Sequence, residues 1–316
     1  MFKIEILPFG SAEKIVLSHP SGLSAEILPQ YGAALNAFHI IARNGDIVNI
    51  IDGYLSDTEP AETAALYKGV FLFPFPNRLK DGKWKYNGQT LQFPINEKAR
   101  NNALHGFLFD AKFEIEETSA SVEMASVLLR YRPKSIPKYY PFDYQMEIEY
   151  ILTEGQGLAV KTKVQNINKI DLPYGLGFHP YFKTGSSIND LIFQMADVKS
   201  LDVDSQMIPN GAKTNFRLFD NPQIIGETSL DTCFEILKPD IFKVHILDTE
   251  KKLKFTVWQE SGIDGLGYLQ IYTPPHRKSI AIEPMTSKAN ALQDQSPDLQ
   301  ILEAGNAQTY LWGISF

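Results

Sequence analysis

The chain carries one cysteine, Cys233, in 316 residues. A single thiol permits no internal disulfide and no cysteine-based zinc site. Long hydrophobic runs are missing too, since no stretch approaches the roughly 18–20 apolar residues a membrane span needs. The opening segment from Met1 to Val16 has no continuous apolar core and no small-residue cleavage site, so it does not read as a secretory signal. Positive charge is not in excess: 30 Lys+Arg against 37 Asp+Glu leaves −7. That balance argues against a general nucleic-acid-binding surface, which needs clustered Lys and Arg. These absences predict a cytoplasmic protein with neither nucleic acid nor membrane as partner, working as a monomer or homodimer.

Familiar catalytic signatures are also lacking. No phosphate-binding loop, nucleophile elbow or paired-histidine zinc motif occurs. Gly175-Leu176-Gly177 opens like a dinucleotide fingerprint but continues into Phe178-His179-Pro180, without a third glycine. The six histidines, His19, His39, His105, His179, His245 and His276, show no close metal-ligand spacing. No metal and no cofactor is therefore expected. Repeats and low-complexity tracts are missing, and Pro and Gly are spread along the chain. One domain over residues 1–316 is the simplest reading.

What is present is a period of two. Lys83-Trp84-Lys85-Tyr86 and Gln89-Thr90-Leu91-Gln92-Phe93 flank Asn87-Gly88, a dipeptide suited to a type I′ turn. A two-residue loop pairs Tyr86 with Gln89 and Trp84 with Leu91, placing Trp84, Tyr86, Leu91 and Phe93 on one face. Alternation recurs in Met146–Tyr150 and Leu158–Val164, in Val244–Ile246 and Leu253–Val257, and in Tyr268–Tyr272 and Ser279–Ile282. The best helical period, Asp57 to Leu66, is short. The pattern predicts an all-β fold, a large antiparallel sandwich or barrel with few short helices.

Five polar positions stand in stiff or apolar contexts. Arg78 follows Phe73-Pro74-Phe75-Pro76-Asn77, and its planar fork suits paired oxygens; a surface salt bridge is the plain alternative. His105 precedes Gly106, where the backbone can turn tightly toward a ligand. His179 sits among Gly, Pro and aromatic residues from Pro173 to Phe182, with aromatic faces for sugar C–H groups and an imidazole for proton transfer. Glu283 follows Ile280-Ala281-Ile282 and precedes Pro284, which should end the strand there. Asp231, before Thr232-Cys233, either accepts hydroxyl hydrogen bonds or caps a turn. Cys233 lacks a thiolate-stabilising neighbour and reads as buried and inert. Trp258 and Trp312 read as core.

Taken in order, the Asn-Arg element, the Trp84–Gly88 hairpin, Asn102-Ala103-Leu104-His105-Gly106, His179-Pro180-Tyr181-Phe182, Leu230-Asp231 and Glu283-Pro284 resemble the aldose 1-epimerase (galactose mutarotase-like) family. The resemblance runs from about residue 20 to the end. It implies a mutarotase-like supersandwich with its site in a groove on one sheet, and cofactor-free interconversion of the α and β anomers of a free monosaccharide. By matched motif, Glu283 would be the base on the C1 hydroxyl and His179 the acid at the ring oxygen. His105 and Arg78 would bind the ring oxygen and hydroxyls, Asp231 would hold hydroxyls, and Asn77 would assist.

The chemistry agrees. Opening a hemiacetal takes a proton from O1 and gives one to the ring oxygen, each transfer contributing roughly 10²–10⁴-fold. With Glu283 ionised and His179 charged, a bell-shaped pH profile is expected. Departures in the element around His179 loosen the link to galactose. Two other readings share the fold: a non-catalytic carbohydrate-binding protein, and a hexose-6-phosphate mutarotase using cations such as Lys80 or Lys183. A two-carboxylate glycosidase built on Asp231 and Glu283 is a third.

Overall fold

The computed structural model describes residues 1–262 and 264–316. Alternation becomes sheet almost everywhere it was read. In the strand Tyr144–Thr153 every second residue is buried, so Met146, Ile148 and Tyr150 all face inward. It pairs antiparallel with Gly157–Asn166 across the Glu154–Gln156 turn. A single step in register would turn this apolar row to solvent, so burial itself locks the pairing.

Nine strands build one antiparallel sheet, with Ala307–Ser315 in its middle between Gly157–Asn166 and Leu253–Glu260. Eight form a second sheet, centred on Asp231–Ile236, Tyr268–Tyr272 and Ile280–Met285. Ring contacts tie the two face to face: Phe178 to Trp312 at 5.1 Å and Phe182 to Phe255 at 5.6 Å. A five-stranded sheet from Lys3–Phe9 to Ile47–Asn49 joins the same core, which draws on residues from Phe2 to Ile314. Among the described residues no helix is long and apolar enough to cross a membrane.

The hairpin has the expected register, Tyr86 opposite Gln89 and Trp84 opposite Leu91. Asn87 and Gly88 have φ of +48° and +75°, as a type I′ turn demands. Trp84 is buried and donates from Nε1 to the Tyr139 carbonyl at 2.9 Å.

Two expectations change. Asp57 to Leu66 becomes a four-residue helix, Glu59–Glu62, and a 3₁₀ turn, Ala64–Leu66, neither of which buries a residue. Without an apolar face to bury, so short a segment cannot grow a longer helix. The second change concerns Pro284. The strand runs through it as Ile280–Met285, so Glu283 lies inside a central strand instead of at its end. Ile282 donates its amide to Pro180 O (3.2 Å) and Thr286 to Leu176 O (2.9 Å). By alternation, position 284 faces that same side, between the short strands Gly177–Phe178 and Tyr181–Phe182. The ladder is interrupted there, so a residue without an N–H costs no ladder bond.

Candidate active site

The interruption that admits Pro284 also places His179. His179 and Pro180 fill the gap between the two short strands. The main chain of His179 is pinned on both sides, its N–H donating to Val70 O (3.1 Å) and its carbonyl accepting from Gly69 N–H (2.8 Å). Gly177 permits close packing here, because a Cβ would come 3.0 Å from both Met285 Cγ and the Pro284 carbonyl. The imidazole stacks on Tyr181 at 5.0 Å and sets its Nε2 3.4 Å from Glu283 Oε1.

Both side chains are buried, His179 at 7% and Glu283 at 2% exposure. His179 Nδ1 and Glu283 Oε2 find no hydrogen-bond partner among the described residues. Buried polar atoms normally have partners, and each exception asks for a physical reason.

His105 follows the strand Asn102–Leu104 with φ of +63°. It is tied to Asn77 twice: its amide donates to Asn77 O at 2.8 Å, and its Nδ1 accepts the Asn77 N–H at 3.1 Å. An accepting Nδ1 puts the proton on Nε2, which makes His105 a neutral donor. Burial, then the neighbouring His179 and Arg78, push its pKa well below 6.5. The close approach allowed by Gly106 is made to protein, because a Cβ there would lie 2.0 Å from the Phe73 carbonyl.

Asn77 and Arg78 open the next wall. Asn77 sits at φ of +58°, a region its short polar side chain tolerates. Its Oδ1 accepts from the Arg78 amide at 2.9 Å, and its Nδ2 donates to Gln270 Oε1 at 3.1 Å. Gln270 in turn donates from Nε2 to Asp231 Oδ1 at 2.7 Å. Asp231 opens its strand and stays exposed, so its carboxylate is held from one side and open to solvent on the other. Arg78 pairs with Glu97.

All six residues singled out in the sequence, Asn77, Arg78, His105, His179, Asp231 and Glu283, line one cavity of about 350 Å³. That volume is near the small end of the roughly 300–1,000 Å³ of ligand sites. Tyr67, Glu97, Gln270 and Tyr181 line it as well. Gln270 was legible in principle, since extending the pairing of Tyr268–Tyr272 with Ser279–Ile282 by one step sets it opposite Glu283. Tyr67, at φ of +50° after the 3₁₀ turn and 4.6 Å from the His105 ring, has no sequence signal. Of the aromatics around His179 only Tyr181 faces the cavity; Tyr174 bonds to the Tyr310 hydroxyl and Phe178 packs on Trp312 in the core. Lys80 and Lys183 lie elsewhere, beside Asp204 and Asp52. Cys233 is buried and its thiol pKa is pushed up, chiefly by that burial.

Electrostatics set the resting protonation. Burial, reinforced by Asp231 and opposed by Arg78, raises the Glu283 pKa well above 4.5. Burial lowers His179 to about 3. Both shifts disfavour the charged forms, so a proton shared by the pair is drawn toward the carboxyl, against the ionised Glu283 and charged His179 read from the sequence. That carboxylate–imidazolium form has the same proton count as the neutral pair, so one transfer across the 3.4 Å gap interconverts the two.

Fold and family match together support a sugar isomerase of the mutarotase type. The chain belongs to the aldose 1-epimerase family, whose model matches residues 13–311. It is 29% identical over 264 residues to the uncharacterised protein YihR of Escherichia coli K12, covering 81% of each chain. It is 27% identical over 209 residues to a maltose epimerase of Levilactobacillus brevis, covering 63% of this chain and 58% of that one. A galactose mutarotase-like protein from Clostridium acetobutylicum shares the fold with a TM-score of 0.85 at 21% identity, over 99% of this chain and 97% of that one.

Proposed function

We propose that this chain interconverts the α and β anomers of a free aldose, with Glu283 and His179 as the proton-transfer pair. The observation that carries the reading is the buried pair itself: Nε2 and Oε1 at 3.4 Å, in two residues that line one cavity with Asn77, Arg78, His105 and Asp231. A bound sugar enters beside this pair. Its hydroxyl hydrogen bonds and the nearby Arg78 favour the Glu283 carboxylate, and its ring oxygen accepts from the His179 imidazolium.

Glu283 then takes the O1 proton as His179 delivers one to the ring oxygen. The bond from C1 to the ring oxygen breaks and leaves an open-chain aldehyde. Rotation about C1–C2 presents the other carbonyl face, and the reverse transfers close the ring and restore the pair. His105 Nε2–H and Arg78 hold oxygens whose charge rises during opening, and such preorganised donors lower the barrier most in a dry site. Asp231, held by Gln270, accepts from sugar hydroxyls.

The test is anomer interconversion followed by NMR exchange or polarimetry. Glucose, galactose, other common aldoses and glucose 6-phosphate are assayed with wild type, Glu283→Gln and His179→Asn. Wild type accelerates at least one sugar, and each variant loses roughly 10²–10⁴-fold of that acceleration. Intact sugar binding with no acceleration on any of them would overturn the catalytic reading and leave a sugar-binding protein.

A further inference from the structure

We propose that Glu97 is a positioning residue for this reaction, acting through Arg78; the inference rests on the mutarotase reading above. Glu97 lies between the strands Gln89–Gln92 and Asn102–Leu104, where a single antiparallel bridge to Asn102 holds its main chain but does not ask for a carboxylate. Yet it is largely buried and gathers three donors. Arg78 Nε lies 3.1 Å from each of its oxygens and Arg78 Nη2 3.1 Å from Oε1. Arg100 Nη1 approaches Oε1 at 3.0 Å and Asn102 Nδ2 approaches Oε2 at 2.8 Å. Its main chain is fixed by reciprocal bonds with that of Asn102, at 3.1 and 3.2 Å.

A guanidinium carries five N–H groups in one plane, so fixing one edge fixes the direction of the rest. Glu97 takes the Nε–Nη2 edge, and Asn77 Oδ1 takes one Nη1 hydrogen at 3.3 Å. The remaining Nη1 and Nη2 hydrogens have no partner among the described residues, and Arg78 lines the cavity. The Arg78 and Glu97 side chains are only 11% and 12% exposed, so removing one charge leaves the other poorly solvated. Glu97 thus aims Arg78 and also cancels part of its field. Glu283 is faced by His179, Asp231, Arg78, Tyr181 and Cys233, of which Arg78 favours its ionised form.

The experiment is a double-mutant cycle on anomer exchange: wild type, Glu97→Gln, Arg78→Ala and the double variant, each with a pH profile. Glu97→Gln is expected to lower kcat/KM roughly 10–100-fold, the scale lost when a partner orienting a functional ligand is removed. Arg78→Ala loses roughly 10²–10³-fold. The double variant should be no worse than Arg78→Ala, because a residue that acts through Arg78 has nothing left to do without it. In Glu97→Gln the uncancelled Arg78 charge moves the alkaline limb to lower pH. Additive losses, or an unmoved limb, would overturn the proposal and leave Glu97 a structural ion pair. If Glu97→Gln does not fold, Glu97→Asp takes its place in the cycle. A wild type that accelerates no sugar would instead strike the mutarotase reading, so the two failures are distinguishable.

Discussion

At the scale of single residues, burial decides how Glu283 and His179 share a proton. An exposed Glu and His, with pKa values near 4.5 and 6.5, would confine a carboxylate–imidazolium pair to a narrow window. Here His179 is pushed down to about 3 and Glu283 is pushed well above 4.5, so burial disfavours the charged form of both. Acid inactivation requires a second proton on the pair, and alkaline inactivation requires loss of the only one. Apparent values belong to the pair and not to either group. The expected profile of kcat/KM is a bell whose acid limb lies well below pH 6.5, the ordinary His value. An acid limb centred at pH 6.5 would show that His179 is not held neutral by burial.

Arg78, His105, His179, Asp231 and Glu283 were legible because each combines a polar side chain with a stiff local context, whereas Asn77 came from the family resemblance alone. Glu97 and Tyr67 were not legible. An acidic residue in an irregular segment looks like any solvated one until Arg78 is brought beside it across the Asn102–Leu104 strand pairing.

At the scale of elements, two glycines with positive φ separate local strain from tertiary contact. Gly88, at the hairpin tip, has nothing within 4 Å of an added Cβ, so Gly88→Ala meets only the left-handed backbone cost, about 1–2 kcal/mol. Gly106→Ala meets that cost and the Phe73 carbonyl as well, which adds about 1–3 kcal/mol of overpacking. Urea unfolding should rank Gly106→Ala well below Gly88→Ala in stability. Exchange activity should fall only in Gly106→Ala, since relief of the clash shifts His105. Equal losses in the two variants would contradict this account. The hairpin was readable because its turn chemistry is local. The broken ladder opposite Pro284 was not, since Pro reads as a strand terminator unless one sees that its nitrogen faces a gap between two other strands.

At the scale of the whole molecule, strands from far apart in the chain share one core. Ala307–Ser315 occupies the centre of the nine-stranded sheet, and the core runs from Phe2 to Ile314. One domain over residues 1–316 should therefore unfold in a single cooperative transition. Tryptophan fluorescence and far-UV circular dichroism should trace superimposable melting curves. Two separated transitions would divide the chain into independent units.

The amino-acid sequence alone determined the all-β class, the hairpin register, the burial of Cys233 and five of the candidate polar residues, because period, turn chemistry and side-chain type are local properties. Tertiary structure alone decided that those residues meet at one cavity, that Glu283 lies mid-strand against His179, and that burial disfavours the charged form of both. Distance across sheets and exclusion of water depend on residues far apart in the chain, and neither quantity exists until the sandwich has closed.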